Sequence, residues 1–194
     1  LSTDKNYELN QIEPKNFPQQ ASKYNIAILY QPTNEFSQVF KSIEKYNLNS
    51  FIIAGTFTDW EYLNSVQSSY IHEYTGQNED YQSIINSNFD NFSLDFIDFE
   101  NYPPLTSSFG NTNINIAHNV LLYKYINGVN TNQPLLFTYS KNNLRQVVLL
   151  AENIWKWRMH CYRQERSFKK IDSYFKSIFQ YLSTQRSTER LRIN

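Results

Sequence analysis

Two segments carry residue types that could do chemistry, and each directly follows a buried apolar run. The first is Gly55–Trp60, which follows the run that starts at Ser50. The second is Glu152–Arg158, which follows Val147–Leu150 and holds two of the three tryptophans. Ligands of open α/β sheets bind outside the carboxyl ends of the strands. The sequence therefore predicts a site in a crevice between these two segments.

The turn at Gly55–Trp60 has the position of a nucleophile elbow, which places Ser or Cys beside the amides of a helix N-terminus. Threonines occupy this turn here, and a threonine nucleophile needs a general base or its own α-amine. The alternative is structural, because Thr58 and Glu61 have the spacing of a capping box. We therefore expect a capped helix with aromatic residues packed against it.

The segment Trp155–Arg163 alternates aromatic and basic residues, as in some single-strand nucleic-acid binders. A formal net charge of zero, with 18 cations and 18 acids, argues against a nucleic-acid partner. We expect a helix that packs an aromatic face on the sheet, with Arg158 paired to an acid such as Glu152. That face consists of Trp155, Met159 and Tyr162. A binding surface is the other interpretation, because Trp and Arg often anchor interfaces.

No residue pattern predicts a metal or a cofactor. His160 and Cys161 are adjacent, so a helix points them about 100° apart and they form no natural dyad. A buried, unactivated thiol is the default for Cys161, the single cysteine. His72-Glu73 with Glu79-Asp80 could hold a cation, although a solvated acidic loop is the preferred interpretation. With four glycines in 194 residues, glycine-rich nucleotide loops are excluded.

The surrounding elements predict an α/β fold. Apolar runs at Ile26–Tyr30 and Ser50–Gly55 indicate buried strands, and the helical spacing of Phe36 to Ile43 lies between them. Strand and helix in alternation favour a parallel sheet. Lys141–Asn143 separates two apolar runs that predict a late β-hairpin, and Phe168 to Leu182 predicts the last helix. We expect a flavodoxin-like three-layer sandwich whose central sheet is mainly parallel.

The order of several short motifs resembles the class I glutamine-amidotransferase-like domain of large membrane-anchored bacterial proteins. These proteins, common in the Bacteroidetes, often carry von Willebrand factor A-like regions. The resemblance covers most of residues 20 to 184, and Glu152–Arg158 is its strongest element, although Ala151 and Asn153 stand where glycines are usual. The other motifs are Leu29-Tyr30-Gln31-Pro32, Phe51 to Trp60, Tyr102-Pro103-Pro104-Leu105 and Pro134-Leu135-Leu136.

The resemblance implies the fold and argues against the activity. No Cys occupies the elbow at Gly55–Asp59, and no His-Pro-Glu follows the late strand. It also implies a preceding βα unit, with Leu1–Lys5 as the end of its helix. We expect one domain over residues 1–186, with 187–194 starting a linker or a following domain. No apolar run reaches the length of a membrane span, so the chain would meet a membrane only through its parent's anchor.

The leading prediction is a non-catalytic interaction or scaffold module, held on the periplasmic side of the inner membrane by its parent protein. Its partners would be another protein or other domains of the parent chain. A small-molecule or glycan-binding module that uses the same crevice is the alternative, and a degenerate hydrolase is a third. The candidate crevice residues are Thr56, Thr58, Asp59, Trp60, Glu152, Asn153, Trp155, Trp157 and Arg158.

Overall fold

A seven-stranded mixed sheet forms the centre of the molecule. The computed structural model describes residues 7–95 and 97–184. Its strands are β1 Ile26–Tyr30, β2 Asn49–Ile53, β3 Tyr70–Ile85, β4 Leu105–Ile114, β5 His118–Ile126, β6 Val129–Lys141 and β7 Leu144–Leu149. They lie in the order β1-β2-β7-β6-β5-β3-β4. The pairs β1–β2 and β2–β7 are parallel, and the four other pairings are antiparallel.

The predicted flavodoxin-like architecture with a mainly parallel sheet is wrong. The strand–helix alternation that suggested it ends after the second helix, and the chain then forms the long antiparallel pair β3 and β4. The acidic stretch from His72 to Asp80, interpreted above as a solvated loop, belongs to β3. Residues 73 to 80 are exposed and therefore lack the alternation of a half-buried strand.

Within the described residues, four α-helices cover the two faces of the sheet. They are α1 Ser37–Tyr46, α2 Trp60–Val66, α3 Trp155–Glu165 and α4 Lys169–Ser183. Successive side chains of a strand point to opposite faces. Accordingly Phe51 of β2 packs in one core cluster with residues of α3 and α4, while Ile52 packs in another with residues of α1 and α2.

Several local predictions are confirmed. The strand Ile26–Tyr30 is β1, and the residues Lys141–Asn143 lie at the turn between β6 and β7. The last helix buries Ile171, Ile178 and Leu182, as the apolar stripe indicated. Leu1–Lys5 and residues 187–194 lie outside the described residues. Within the described ranges, no helix is long and apolar enough to cross a membrane.

Asparagines occupy left-handed backbone positions that glycines often take in other proteins. Their short polar side chains tolerate this conformation better than most. Six have φ between 50° and 69°: Asn47, Asn127, Asn132, Asn142, Asn143 and Asn153. Asn47 ends α1, and Asn153 turns the chain between β7 and α3. A chain with four glycines can therefore still form tight turns.

Candidate functional site

The two segments singled out in the sequence meet at one edge of the sheet. Because β1, β2 and β7 are mutually parallel, their carboxyl ends lie side by side. The Glu152 carboxylate follows β7 and accepts hydrogen bonds from the Thr56 amide and the Thr56 hydroxyl, each at 3.2 Å. It also accepts one from Gln31 Nε2, and Gln31 Oε1 accepts from the Phe57 amide at 2.9 Å.

This contact is so close that any side chain at residue 55 would displace Glu152 or Gln31. A Cβ atom built on Gly55 would collide with the Glu152 carboxylate and would lie 2.7 Å from Gln31 Nε2. The space between the two segments is therefore filled by their own side chains. At this point the predicted crevice is a hydrogen-bonded junction.

A second set of hydrogen bonds fixes the start of α3. The Glu152 amide donates to the Thr106 carbonyl at 2.9 Å, which ties the end of β7 to β4. Asn153 donates to the Thr106 hydroxyl at 3.3 Å and accepts from the Trp155 indole at 3.2 Å. The Thr106 hydroxyl donates in turn to Asp80 at 2.7 Å. Asn153 and Trp155 are thus positioned by a strand that the sequence did not link to them.

The turn before α2 differs from the predicted capping box. The residue at the N-terminus of the helix is Asp59, whose carboxylate accepts from the Tyr62 amide at 2.9 Å. Asp is as good a cap as Thr, and it stands three residues before that amide. Thr58 is 6% exposed and packs inward, and the Trp60 indole lies 4.2 Å from the His72 ring. Thr58 and Trp60 are therefore core residues.

In α3 the face that was predicted to pack on the sheet is exposed, and another face is buried. Trp157 is 1% exposed, lies 4.6 Å from the Phe99 ring and donates to the Pro103 carbonyl at 3.0 Å. Trp155 is 63% exposed. Packing on the sheet is done by Trp157 and Cys161, so the prediction for the aromatic face is wrong. The distribution of apolar residues could not show which face is buried, because each of the two faces carries a tryptophan.

The exposed face of α3, hereafter the α3 face, consists of Trp155, Met159 and Tyr162. These residues are spaced four and three apart, so they form one stripe along the helix. They are 63%, 47% and 39% exposed. Tyr162 stacks on Phe168 at 4.8 Å, which fixes the end of the stripe that is nearer α4.

Basic side chains flank the α3 face. Arg158 pairs with Asp172 through Nε at 2.9 Å and Nη2 at 3.2 Å, and lies 4.2 Å from the centre of the Phe168 ring. The predicted pairing of Arg158 with Glu152 is therefore wrong, because Glu152 is already held by Gln31 and Thr56. In the part of the chain that the structure describes, no ion pair involves Lys156, Arg163 or Arg166.

A cavity lies at the opposite end of the sheet. Its volume is about 850 Å³. It is bordered by Arg145, Tyr181, His118 and neighbouring polar residues, and by none of the nine candidate crevice residues. The Arg145 guanidinium is held by the Tyr181 carbonyl at 2.6 Å and lies 4.8 Å from the Tyr181 ring.

Comparisons with known proteins bear on the fold alone. No protein-family model matches the chain, and no curated protein matches it. The fold is similar to that of the cytoplasmic protein STM1381 from Salmonella typhimurium LT2, with a TM-score of 0.57 at 10% identity over 86% of this chain and 75% of that chain. A β-galactosidase from Bacillus circulans sp. alkalophilus gives a TM-score of 0.42 at 10% identity over 74% of this chain and 23% of that chain. The amidotransferase-like resemblance stays a prediction.

Proposed function

We propose that this chain is a non-catalytic protein-interaction module and that the α3 face is its binding surface. The observation that carries the proposal is the exposure of three large apolar side chains in one helical stripe, Trp155, Met159 and Tyr162. Contiguous exposed apolar surface rimmed by polar residues is typical of protein interfaces. Trp, Tyr and Arg are also the residue types enriched in interface hot spots.

The charges around the stripe indicate the chemistry of the partner. Residues 155 to 170 contain six cations and one acid, although the whole chain has no net charge. Arg158 is paired with Asp172 and Lys170 with Glu165. Lys156 and Arg163 lie along one side of the α3 face. Arg166, at the C-terminal end of the helix, adds a third positive charge beside them. A complementary partner would present an apolar anchor surrounded by Asp and Glu. We therefore favour an acidic protein segment as the occupant.

The ligand-binding alternative has weaker support at the predicted crevice. Glu152, Thr56 and Gln31 are engaged with one another, and a Cβ at Gly55 would not fit between them. A hydrolase is disfavoured because the Thr58 hydroxyl and the Cys161 thiol are both buried. The Cys161 thiol donates to the Ser167 carbonyl at 3.2 Å, as expected of a structural cysteine.

The cellular context of the proposal rests on the sequence resemblance. We propose that the module belongs to a larger membrane-anchored protein and lies on the periplasmic side of the inner membrane. Labelling of residue 41 as cysteine with a membrane-impermeant thiol reagent in intact, outer-membrane-permeabilised cells tests this. Labelling before lysis is expected, because Lys41 is exposed on α1. Labelling only after lysis would place the domain in the cytoplasm.

Site-specific photo-cross-linking tests the binding surface directly. A photoreactive amino acid replaces Met159 in the full-length protein in its own cells, and the matched control replaces Lys41 on α1, on the other face of the sheet. We expect one protein to be cross-linked repeatedly from position 159 and not from 41, through a segment rich in Asp and Glu. Adducts with lipid or nucleic acid from position 159, or no specific adduct, would contradict the proposal.

A further inference from the structure

A lysine of β5 is buried beside β3. Lys124 of β5 is 1% exposed, and its ammonium lies 4.8 Å from the centre of the Tyr81 ring. In residues 7–95 and 97–184, no carboxylate forms an ion pair with it. Removing an ammonium from water without a counter-charge is costly, and burial accordingly lowers the pKa of Lys124 to about 8.

Three further buried polar atoms on β3 and β4 have no hydrogen-bond partner among the described residues. They are His72 Nε2, Ser83 Oγ and Ser108 Oγ, and Lys124 Nζ is a fourth. Ser83 lies directly opposite Lys124 in the antiparallel register of β3 and β5. Buried polar groups almost always have a partner, so a cluster of unpaired atoms indicates a ligand or ordered water.

His72 links the cluster to β4. Its Nδ1 is 2.9 Å from the Thr112 hydroxyl, and its Nε2 would lie 3.3 Å from a Cβ atom built on Gly110. Burial, and then the positive charge of Lys124, lower the pKa of His72 to about 4 against the opposing effect of a hydrogen bond to the Ser108 backbone, so the ring is neutral at pH 7. If Thr112 donates to Nδ1, the ring proton is on Nε2. That N–H is directed at the Ser108 backbone, so Lys124 Nζ and the two serine hydroxyls are the donors left for a ligand.

We propose that Lys124, Ser83 and Ser108 bind a small inorganic anion of halide size inside the β3–β4–β5 region, beside the neutral ring of His72. The cluster offers donors and one positive charge, which excludes a cation and suits a halide. Ordered water could satisfy the hydrogen bonds but would leave the charge of Lys124 unbalanced. Because these atoms are buried, a single-atom anion is the simplest ligand to propose.

Bromide serves as the probe because it is anomalously scattering and close to chloride in size. Crystals of the full chain grown in sodium bromide are expected to show an anomalous peak within about 3.5 Å of Lys124 Nζ and of at least one of the two serine hydroxyls. Replacing sodium gluconate by sodium bromide at equal ionic strength should raise the melting temperature by about 5 °C or more.

Two lysine variants separate a specific site from a general salt effect. Lys124→Met replaces the ammonium by an unbranched apolar side chain only one atom shorter and should abolish the bromide-dependent rise. Lys41→Met removes an exposed charge and should leave the rise intact. Ser83→Ala should reduce the rise, which keeps the test valid if Lys124→Met folds poorly. The proposal is overturned if no anomalous peak lies beside Lys124, or if Lys124→Met and wild type respond equally to bromide.

Discussion

At the scale of single residues, Glu152 joins the ends of three strands. Its carboxylate bonds Gln31 after β1 and Thr56 after β2, while its amide bonds Thr106 of β4. Glu152 and Thr56 could be singled out in the sequence because both follow buried apolar runs. Thr106 could not, because its position depends on the pairing of β4 with the end of β7, and no local pattern encodes that long-range contact.

A methyl group at position 55 should disrupt this junction. We expect Gly55→Ala to lower the free energy of unfolding by about 1–3 kcal/mol, because the new Cβ would force Glu152 and Gln31 apart. Urea denaturation of both single variants and of the double variant with Glu152→Ala measures the effect. In the Glu152→Ala background the cost of Gly55→Ala should shrink by about 1 kcal/mol. Strictly additive costs would show that Glu152 does not restrict residue 55.

A buried histidine makes stability depend on pH. Burial and Lys124 lower the pKa of His72 from 6.5 to about 4, so between these values the unfolded chain binds a proton that the folded chain does not. Stability therefore rises with pH through this window. From pH 7 to pH 4.5, His72 should contribute a loss of roughly 2 kcal/mol. Chemical denaturation of wild type and His72→Gln in one buffer anion measures the difference, and equal pH dependence would contradict it.

At the scale of elements, α3 shows why the buried face could not be predicted. The stripe Trp155, Met159 and Tyr162 is at least as apolar as the face that carries Trp157 and Cys161. What decides the orientation is the pocket that Phe99 and the Pro103 carbonyl offer to the Trp157 indole, and both come from a distant loop. Elements whose apolar residues form one stripe, such as α4, were predicted correctly.

The two tryptophans of α3 provide a matched test of this orientation. Trp157→Ala should cost about 3–5 kcal/mol of stability, because it empties a fully buried site and leaves the Pro103 carbonyl without its donor. Trp155→Ala, two residues away, should cost less than about 1 kcal/mol because its side chain is largely exposed. Denaturant midpoints of the two variants check this. Comparable losses would mean that α3 packs with the other face inward.

At the scale of the whole molecule, the order of the strands in the sheet is the feature that could least be predicted from the sequence. The strand beside β2 is β7, more than ninety residues later in the chain, and the antiparallel strands β3 to β6 form the other side of the sheet. The mainly parallel sheet was predicted from the alternation of strands and helices at the start of the chain, which does not continue after α2. The individual strands β1, β2 and β7 could be found because each is a short apolar run.

The distribution of charge across the molecule predicts how binding responds to salt. Six of the 18 cations lie within residues 155 to 170, against one acid there. Exposed charges are screened beyond about 8 Å at physiological ionic strength. Affinity for an acidic partner should therefore fall several-fold between 50 and 300 mM salt, as measured by titration calorimetry. Salt-independent affinity would mean that the basic flanks make no contact.

A charge-swap titration on the α3 face tests the central claim most directly. The purified domain is titrated with the partner segment that cross-links from position 159, as wild type and as the double variant Arg163→Glu, Arg166→Glu. We expect the double variant to bind at least about tenfold more weakly, with an unchanged unfolding midpoint, and to regain affinity when partner acids are replaced by lysine. Equal affinity of wild type and double variant would contradict binding through this face.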